Sequence, residues 1–316
     1  MNDAMSATNA SRAENPHKIR RITPRQREQM RYKLKKFIFG SKDTQGTGKL
    51  TVVYLLLISI GFIYLYPILY MVSKSFMNLN DLLDTSINWI PSQLYVENYR
   101  PALKSMDYWK TFKDSVLIAG IPTLINVVIC SIVGYGFARY DFKGKNFFFI
   151  IVLLILSVPF EVIMLPLYKQ ISSWGMMDSY VSVVLPFLAH ASTIFFFRQY
   201  LLGLPKSLIE AGRIDGATEY GIFFKLIVPI MKPAFSAMAI LNGMNAWNNY
   251  LWPLLVIRSA DKYTLTIGLN TLINPYGDNY SLLVVGSVFS IIPIFVLFIC
   301  FQKYFIEGMT AGAVKE

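Results

Sequence analysis

Six long apolar runs constrain this chain more than any other feature. They cover residues 50–73, 111–138, 147–168, 180–200, 234–257 and 282–304. Each is long enough to cross a bilayer as a helix with some tilt. Hydrocarbon offers a backbone N–H or C=O no partner, so such runs fold as helices that satisfy themselves. The fold class read from them is an all-α membrane protein with six transmembrane helices. Of the 316 residues 54% are hydrophobic and 16% charged, against roughly 25% charged in a soluble domain. Every run contains or abuts proline: Pro67, Pro122, Pro159 with Pro166, Pro186, Pro253 and Pro293. Proline is common in membrane helices, but this many predicts kinked helices around a cavity.

Charge sets the orientation. The net charge is +11, yet 12 of the 30 Lys and Arg precede Leu50, which is a membrane-topology signal and not a nucleic-acid patch. With the tail inside, the inner segments carry 20 Lys and Arg and the outer ones 6. Both termini are therefore expected in the cytoplasm. The organisation is a basic cytoplasmic tail (1–49), a transmembrane domain (50–306) with a cytoplasmic loop at 204–233, and a short cytoplasmic C-terminal tail (307–316). The outer loops are 74–110, 170–178 and 258–279. The tail is too long and charged for a secretory signal. Its 20–37 part suits an amphipathic helix on the membrane surface, or a solvated tail that fixes orientation.

Little here points to catalysis. The apolar runs hold no metal-ligand spacing and no serine nucleophile elbow. Cys130 and Cys300 lie in apolar runs and read as small buried apolar residues. Gly46-Thr47-Gly48-Lys49-Leu50 looks superficially like a phosphate loop. It has Asp43 where the first glycine belongs, and Leu50 where magnesium needs Ser or Thr. The expectation is a chain that is not an enzyme, with no catalytic residue, metal or bound cofactor; any ATP dependence comes from another subunit.

Two regions carry polar order instead. In the loop at 204–233, Ser207 and Glu210 have capping-box spacing, so a helix should start just after Pro205. Ala211, Gly212, Gly216 and Ala217 leave one surface of that helix nearly bare, and Glu210, Arg213, Asp215 and Glu219 surround it with charge. Two glycines in a short helix cost roughly 1 kcal/mol each, which predicts a close approach to its backbone; the plainer alternative is an ordinary capped loop helix. Within the membrane, Glu161 lies between Pro159 and Pro166. A carboxylate there needs a cavity, a partner, protonation or access to outer water. In the fifth run Asn242, Asn245, Asn249 and Trp252 fall at spacings of three, four and three, one helical stripe flanked by Trp247 and Asn248. Amides beside an indole suit a sugar. Hydrogen bonding between membrane helices also uses Asn, and periodicity does not separate the two. His190 reads as a bond to a neighbouring helix, with a polar cavity as the alternative.

Glu210-Ala211-Gly212-Arg213-Ile214-Asp215-Gly216-Ala217, followed by Phe223, Pro229 and Pro233, resembles the EAA loop of ABC-importer permeases. Leu165-Pro166-Leu167-Tyr168, Trp247-Asn248, Leu251-Trp252-Pro253-Leu254, Tyr263-Thr264-Leu265 and the tail Glu307-Gly308-Met309-Thr310-Ala311-Gly312-Ala313-Val314 narrow it. They are similar to the carbohydrate permeases of the maltose-transporter type. The resemblance covers most of the chain from about Leu50 and is weakest in the first outer loop. Gly212 departs from the usual alanine, and Glu161 from the usual neutral polar residue.

The resemblance implies a type I ABC-importer permease in a bacterial-type cytoplasmic membrane. It would form a sugar path with a second permease, as a heterodimer. Two cytoplasmic ATPase subunits would hold ATP and Mg, and an extracytoplasmic solute-binding protein would deliver the sugar. Glu210, Ala211, Gly212, Asp215, Gly216 and Ala217 would form the ATPase-coupling helix. Asn242, Asn245, Asn249, Trp252 and Glu161 would line the substrate pathway, and the loop at 258–279 would reach toward the sugar cleft. One alternative is the same architecture importing glycerol phosphate or a polyol, although the runs offer few cations for a phosphate. Another is a membrane scaffold that moves nothing and purifies without an ATPase.

Overall fold

The computed structural model describes residues 24–39, 47–86, 89–273 and 280–310. Most of the basic tail, the phosphate-loop-like Gly46, residues 274–279 of the third outer loop and the end of the C-terminal tail lie outside the described residues. Among those described, every regular element is helical. The chain divides into two compact units, 1–68 and 69–316.

In the first unit, α1 (Pro24–Phe39) realises a helix within the basic tail. Met30, Leu34, Phe37 and Ile38 recur at helical spacing on it, and all four are exposed. The end of α1 lies against the start of α2 (Thr47–Ser75), where a Cβ on Gly48 would sit 3.1 Å from the Ile38 Cα. The first apolar run is this α2.

The second unit begins with the last turns of α2, followed by α3 (Leu79–Leu83), α4 (Tyr99–Ser105) and the long α5 (Tyr108–Arg139). Next come α6 (Lys145–Leu156), α7 (Phe160–Ser173) and α8 (Tyr180–Val184). A 3-10 turn, Leu185–Phe187, leads to α9 (Ala191–Leu202). Past the inner loop with α10 (Ser207–Ile214) and α11 (Glu219–Gly221), a π turn at Ile222–Ile227 and α12 (Val228–Ile230) enter α13 (Lys232–Trp247). The remainder is α14 (Leu251–Val256), α15 (Leu265–Asn270) and α16 (Tyr280–Thr310).

Four of the six apolar runs form membrane-length helical segments: α2, α5, Tyr280–Lys303, and Tyr180–Leu202, which has a non-helical step at 188–190. The other two are sharply bent or split. The third run splits into α6 and α7, bent by 100°. The break falls at Pro159, the N-cap of α7; a proline pushes its predecessor Val158 out of the helical region. The fifth run is not one helix over 234–257. It ends at Trp247 and resumes as α14 at Leu251. Pro253 cannot donate to the carbonyl of Asn249, and its ring crowds that carbonyl, so a continuous helix is blocked there. At its other end α13 meets Glu219–Ile230 at 79°, with Pro233 in its first turn.

The core is built around α5, which packs along α9 and α13, while α13 packs along α16. The approach of α5 to α9 depends on Gly134: a Cβ there would lie 2.8 Å from the Phe197 Cβ and 3.0 Å from the Arg198 backbone nitrogen. Small residues let membrane helices come this close. Near the C-terminal end of α5, Tyr135, Phe197, Leu201, Ile209, Phe223 and Ile227 form one buried cluster. Nearer its N-terminal end, Ile118, Ile171, Val183, Trp252 and Val256 form another. Cys130 is fully buried as expected, but Cys300 is exposed on α16.

The loop at 258–279 is less free than its sequence suggests. Its α15 buries Leu265 and Ile267, and the Leu265 backbone N–H donates to Ser115 Oγ on α5 at 2.7 Å. The start of the loop is held by Asp178 from the second outer loop. Asp178 accepts from the Ser259 hydroxyl at 2.5 Å, from the Ser259 and Arg258 backbone N–H groups at 2.9 Å each, and from Lys262 Nζ at 3.0 Å. These bonds, the Ser259 hydroxyl first, hold the Asp178 carboxyl well below the usual carboxylate range. A carboxyl lowered on folding stabilises the folded state above its unfolded pKa, and that contribution is lost as pH falls through the folded value. Acidification from about pH 4 toward 2 should therefore loosen the loop. Limited proteolysis near residue 258 should rise over that window, and Asp178→Asn should be cleaved readily at neutral pH with little further pH dependence.

Candidate substrate path and coupling site

Asn242 sits at the junction of three helices. Its amide donates one proton to Asn126 Oδ1 on α5 at 3.0 Å and the other to Thr193 Oγ1 on α9 at 3.1 Å. Asn126 in turn donates to the Phe187 carbonyl at 3.1 Å, adding the 3-10 turn. Both Asn242 and Asn126 are buried. For Asn242 the helix-bonding reading of the sequence is the one realised, and its partners were missed. Asn126 and Thr193 are polar residues inside apolar runs, and that was the available signal.

Beside this junction is an interior cavity of about 60 Å³, lined by Asn126, His190, Asn242, Asn245 and Asn249. His190, the N-cap residue of α9, is on its wall, and its imidazole hydrogen-bonds the Asn242 side chain on α13, so the bond to a neighbouring helix and the cavity are both realised. Asn245 is exposed and Asn249 half-buried. The expected stripe is interrupted, because Asn249 lies in the break after α13 and Trp252 lies on α14. Trp252 faces the core: it is fully buried, its indole N–H donates to the Ser182 carbonyl at 3.0 Å, and its ring meets Phe160 edge-on. It offers no open face to a ligand. A second cavity of about 260 Å³ opens on the other side of Asn249, lined by Phe160, Glu161, Met164, Asn248 and Tyr250. Glu161 is exposed in the first turn of α7, just past the 100° bend. The two broken runs thus bring Glu161 and Asn249 to one cavity, although 88 positions separate them in the sequence.

In the loop at 204–233, α10 begins at Ser207 but not through a capping box. Lys206 occupies the N-cap in a helical conformation, and no side chain caps the helix. The Leu208 N–H bonds to the Pro205 carbonyl, so the turn is already wound before Ser207 could act as a cap. The other end is well defined. Gly216 has φ +78°, its N–H bonds to Arg213 O at 3.0 Å, and the Ala217 N–H bonds to Gly212 O at 3.0 Å. This is a Schellman termination, which needs a left-handed residue after the C-cap. Gly216 is therefore the helix stop and not part of the helix. Gly212 is within it, and its close neighbour belongs to this chain: a Cβ there would lie 3.1 Å from Ile222 Cγ1.

Glu210, Ala211, Asp215, Gly216 and Ala217 are all exposed. Asp215 is at the C-cap, where the helix dipole disfavours a carboxylate. Ala211, Gly212, Asp215 and Ala217 line a groove of about 550 Å³ shared with Lys225 and Leu226. Ile214 and Tyr220, on either side of the helix stop, are 85% and 80% exposed; neither was singled out in the sequence. The charges around α10 divide. Arg213 and Glu219 pair with each other at 2.6 Å, and Glu219 also accepts from the Tyr140 hydroxyl at 2.5 Å. Tyr140 is the C-cap residue of α5. Arg139 donates to the carbonyls of Leu201, in the last turn of α9, and of Leu204, just beyond it. The inner loop is thereby fastened to both long helices.

A family model described as binding-protein-dependent transport system inner membrane component matches residues 127–311, which include the loop with α10, Thr193 and Asn242 of the polar junction, and the cavity beside Glu161. The arabinooligosaccharides transport system permease protein AraQ of Halalkalibacterium halodurans is 49% identical, covering 81% of this chain and 93% of its own. The protein of the same name from Bacillus subtilis is 46% identical, covering 81% and 92%. A solved structure described as a bacterial ABC transporter involved in the import of the acidic polysaccharide alginate superposes with a TM-score of 0.71 at 22% identity. That superposition covers 84% of this chain and 98% of the other, and it shows a shared fold. With the bent helices, the braced inner loop and the family match in one chain, this protein belongs to the binding-protein-dependent transport system inner membrane components, the permeases of ABC importers.

Proposed function

We propose that this permease forms half of a transmembrane path for an oligosaccharide, with arabinose-containing oligosaccharides as the substrate class. The observation that carries this reading is the amide-lined cavity of Asn245 and Asn249 beside the Asn126–Asn242–Thr193 junction. Amides can donate to and accept from paired hydroxyls at once. The near half identity to two arabinooligosaccharide permeases supports the substrate class. Glu161, at the second cavity, would bond hydroxyls further along the path. The proposed partners are a second permease that completes the path, an extracytoplasmic binding protein, and two ATPase subunits holding ATP and Mg.

The loop with α10 faces the cytoplasm in this reading, as do both termini. An ATPase groove grips α10 through Ala211, Asp215 and Ala217, with Ile214 and Tyr220 as its apolar anchors. Asp215 favours this: a carboxylate at a helix C-terminus, with no ion pair among the described residues, is left for an external cation. Closure of the ATPases would move the inner loop, and α5 with it through Tyr140 and Glu219, flipping the path between inward and outward access.

The direct test is purification of the intact complex, followed by binding-protein-dependent ATPase assays over a panel of saccharides. Stimulation by arabinose oligomers above other saccharides is expected; a complex that no saccharide stimulates would overturn the reading. In that complex, the double substitution Asn245→Ala with Asn249→Ala should raise the half-saturating sugar concentration about tenfold, the effect of two lost hydrogen bonds. Unchanged uptake kinetics would remove these residues from the path. Gly216→Val puts a β-branched residue into a left-handed position, at a cost of at least about 1–2 kcal/mol. It should abolish stimulated ATPase activity and transport while leaving membrane insertion intact. Gly216→Asn, which tolerates that conformation, should retain most of both. Wild-type coupling in Gly216→Val would show that the shape of this helix end does not matter for docking.

A further inference from the structure

The turn between α5 and α6 closes one side of a cavity of about 420 Å³ that the transport path does not use. Asp141, Lys145, Asn146 and Arg198 form its polar lining, and Phe142 and Phe147 its rim. Arg198 is the unusual member. It lies in the last turns of α9, with its guanidinium stacked over the Phe149 ring 3.9 Å from the centroid. Its Nε is buried and has no hydrogen-bond partner. Among the described residues no carboxylate is within ion-pair distance of it. Lys145 is paired with Asp141 at 3.0 Å, but the Asp141 side chain is 98% exposed. Two cations against one water-facing carboxylate leave a net positive lining.

The surroundings are apolar in a particular way. Helix α6 has no buried residue along its length. Phe147 and Phe148 in its first turn are 64% and 51% exposed, and Leu154 and Ile155 continue the exposed apolar surface toward the membrane interior. A cationic recess at the very start of a membrane helix, with aromatic side chains at its mouth, matches an amphiphile with an anionic head and hydrocarbon tails.

We propose that this cavity binds the phosphate of an anionic phospholipid headgroup, with its acyl chains lying along the exposed face of α6. Arg198 offers a planar fork to two phosphate oxygens, and stacking on Phe149 holds that fork in place. Lys145 supplies the second cation. Asp141 disfavours a free phosphate dianion more than a singly charged phosphodiester, so the site selects lipid over inorganic phosphate. The assignment to the inner leaflet rests on the orientation proposed above; the chemistry of the site does not.

The test uses the intact transporter complex in nanodiscs of phosphatidylcholine with phosphatidylglycerol, released and weighed by native mass spectrometry. The wild type should retain phosphatidylglycerol in preference to phosphatidylcholine. Arg198→Gln should reduce that retention at least about tenfold, the loss of a charge-assisted contact. Arg198→Lys, which keeps the charge without the fork, should fall between them, and Lys145→Gln should weaken retention without disassembling the complex. Millimolar inorganic phosphate should displace none of the lipid. Equal retention by wild type and Arg198→Gln would overturn the proposal, and so would full displacement by inorganic phosphate, which would mark a free-anion site. Labelling of Lys143→Cys from one side of sealed vesicles reports the orientation separately, so a wrong leaflet and a wrong ligand give different results.

Discussion

A buried amide inside a bilayer has no water to fall back on, and the helix bundle depends on how that need is met. Asn242 spends both amide protons on other helices, Asn126 on α5 and Thr193 on α9. Asn126 then reaches the 3-10 turn through Phe187. Each such bond in a membrane contributes about 1 kcal/mol on average, which is modest. Leaving one of the groups unpaired costs about 1–3 kcal/mol, so the junction specifies a single register for α5, α9 and α13. The close approach at Gly134 fixes the same pair of helices nearer the inner end. Between these two points α5 and α9 have little freedom to slide, and the cavity beside Asn245 and Asn249 has a defined wall.

The inner loop is fastened to that frame by a different means. Glu219 accepts from Arg213 on α10 and from Tyr140 at the end of α5. Both partners stabilise the carboxylate over its neutral form. The exposed pair alone contributes little, but with Arg139 on the carbonyls at the end of α9 the loop is tied to both helices. Asn126 and Tyr140 lie 14 residues apart on α5, a rise of about 21 Å. One continuous element therefore carries both the wall of the cavity and the brace of α10. A displacement of α10 has a physical route to the path that needs no other element.

The six apolar runs were legible because length and composition alone decide what can cross hydrocarbon, and the glycine-rich inner loop was legible because its composition is so unlike its surroundings. The prolines pointed to kinks, but not to where a helix would stop outright. Residues 157–159 and 248–250 lie inside apolar runs, and reading a 3.6-residue period across Asn242, Asn245, Asn249 and Trp252 assumed one continuous helix. Pro253 was the available warning. The capping box failed because Pro205 starts the turn before Ser207, a competition that spacing does not reveal. The Asp178 clamp joins positions about 80 residues apart and the Glu219 brace joins positions 79 apart; local pattern carries no information about either. Gly216 was rightly singled out, but for closeness, when its left-handed φ is what the helix end requires.

The broken helices connect these observations. A continuous helix satisfies its own backbone and presents only side chains to a path. Where α13 stops, its last carbonyls lose their intrahelical partners, and irregular backbone is tolerated in a membrane only where it is buried in protein or lines a cavity. Asn248, Asn249 and Tyr250 lie at that stop and line a cavity. The bend at Pro159 brings the first turn of α7, with Glu161, to the same place. In the proposed path, the prolines that interrupt two spans would supply the polar surface that a hydroxyl-rich solute needs within the membrane. The uninterrupted α5 supplies the rigidity against which that surface can move.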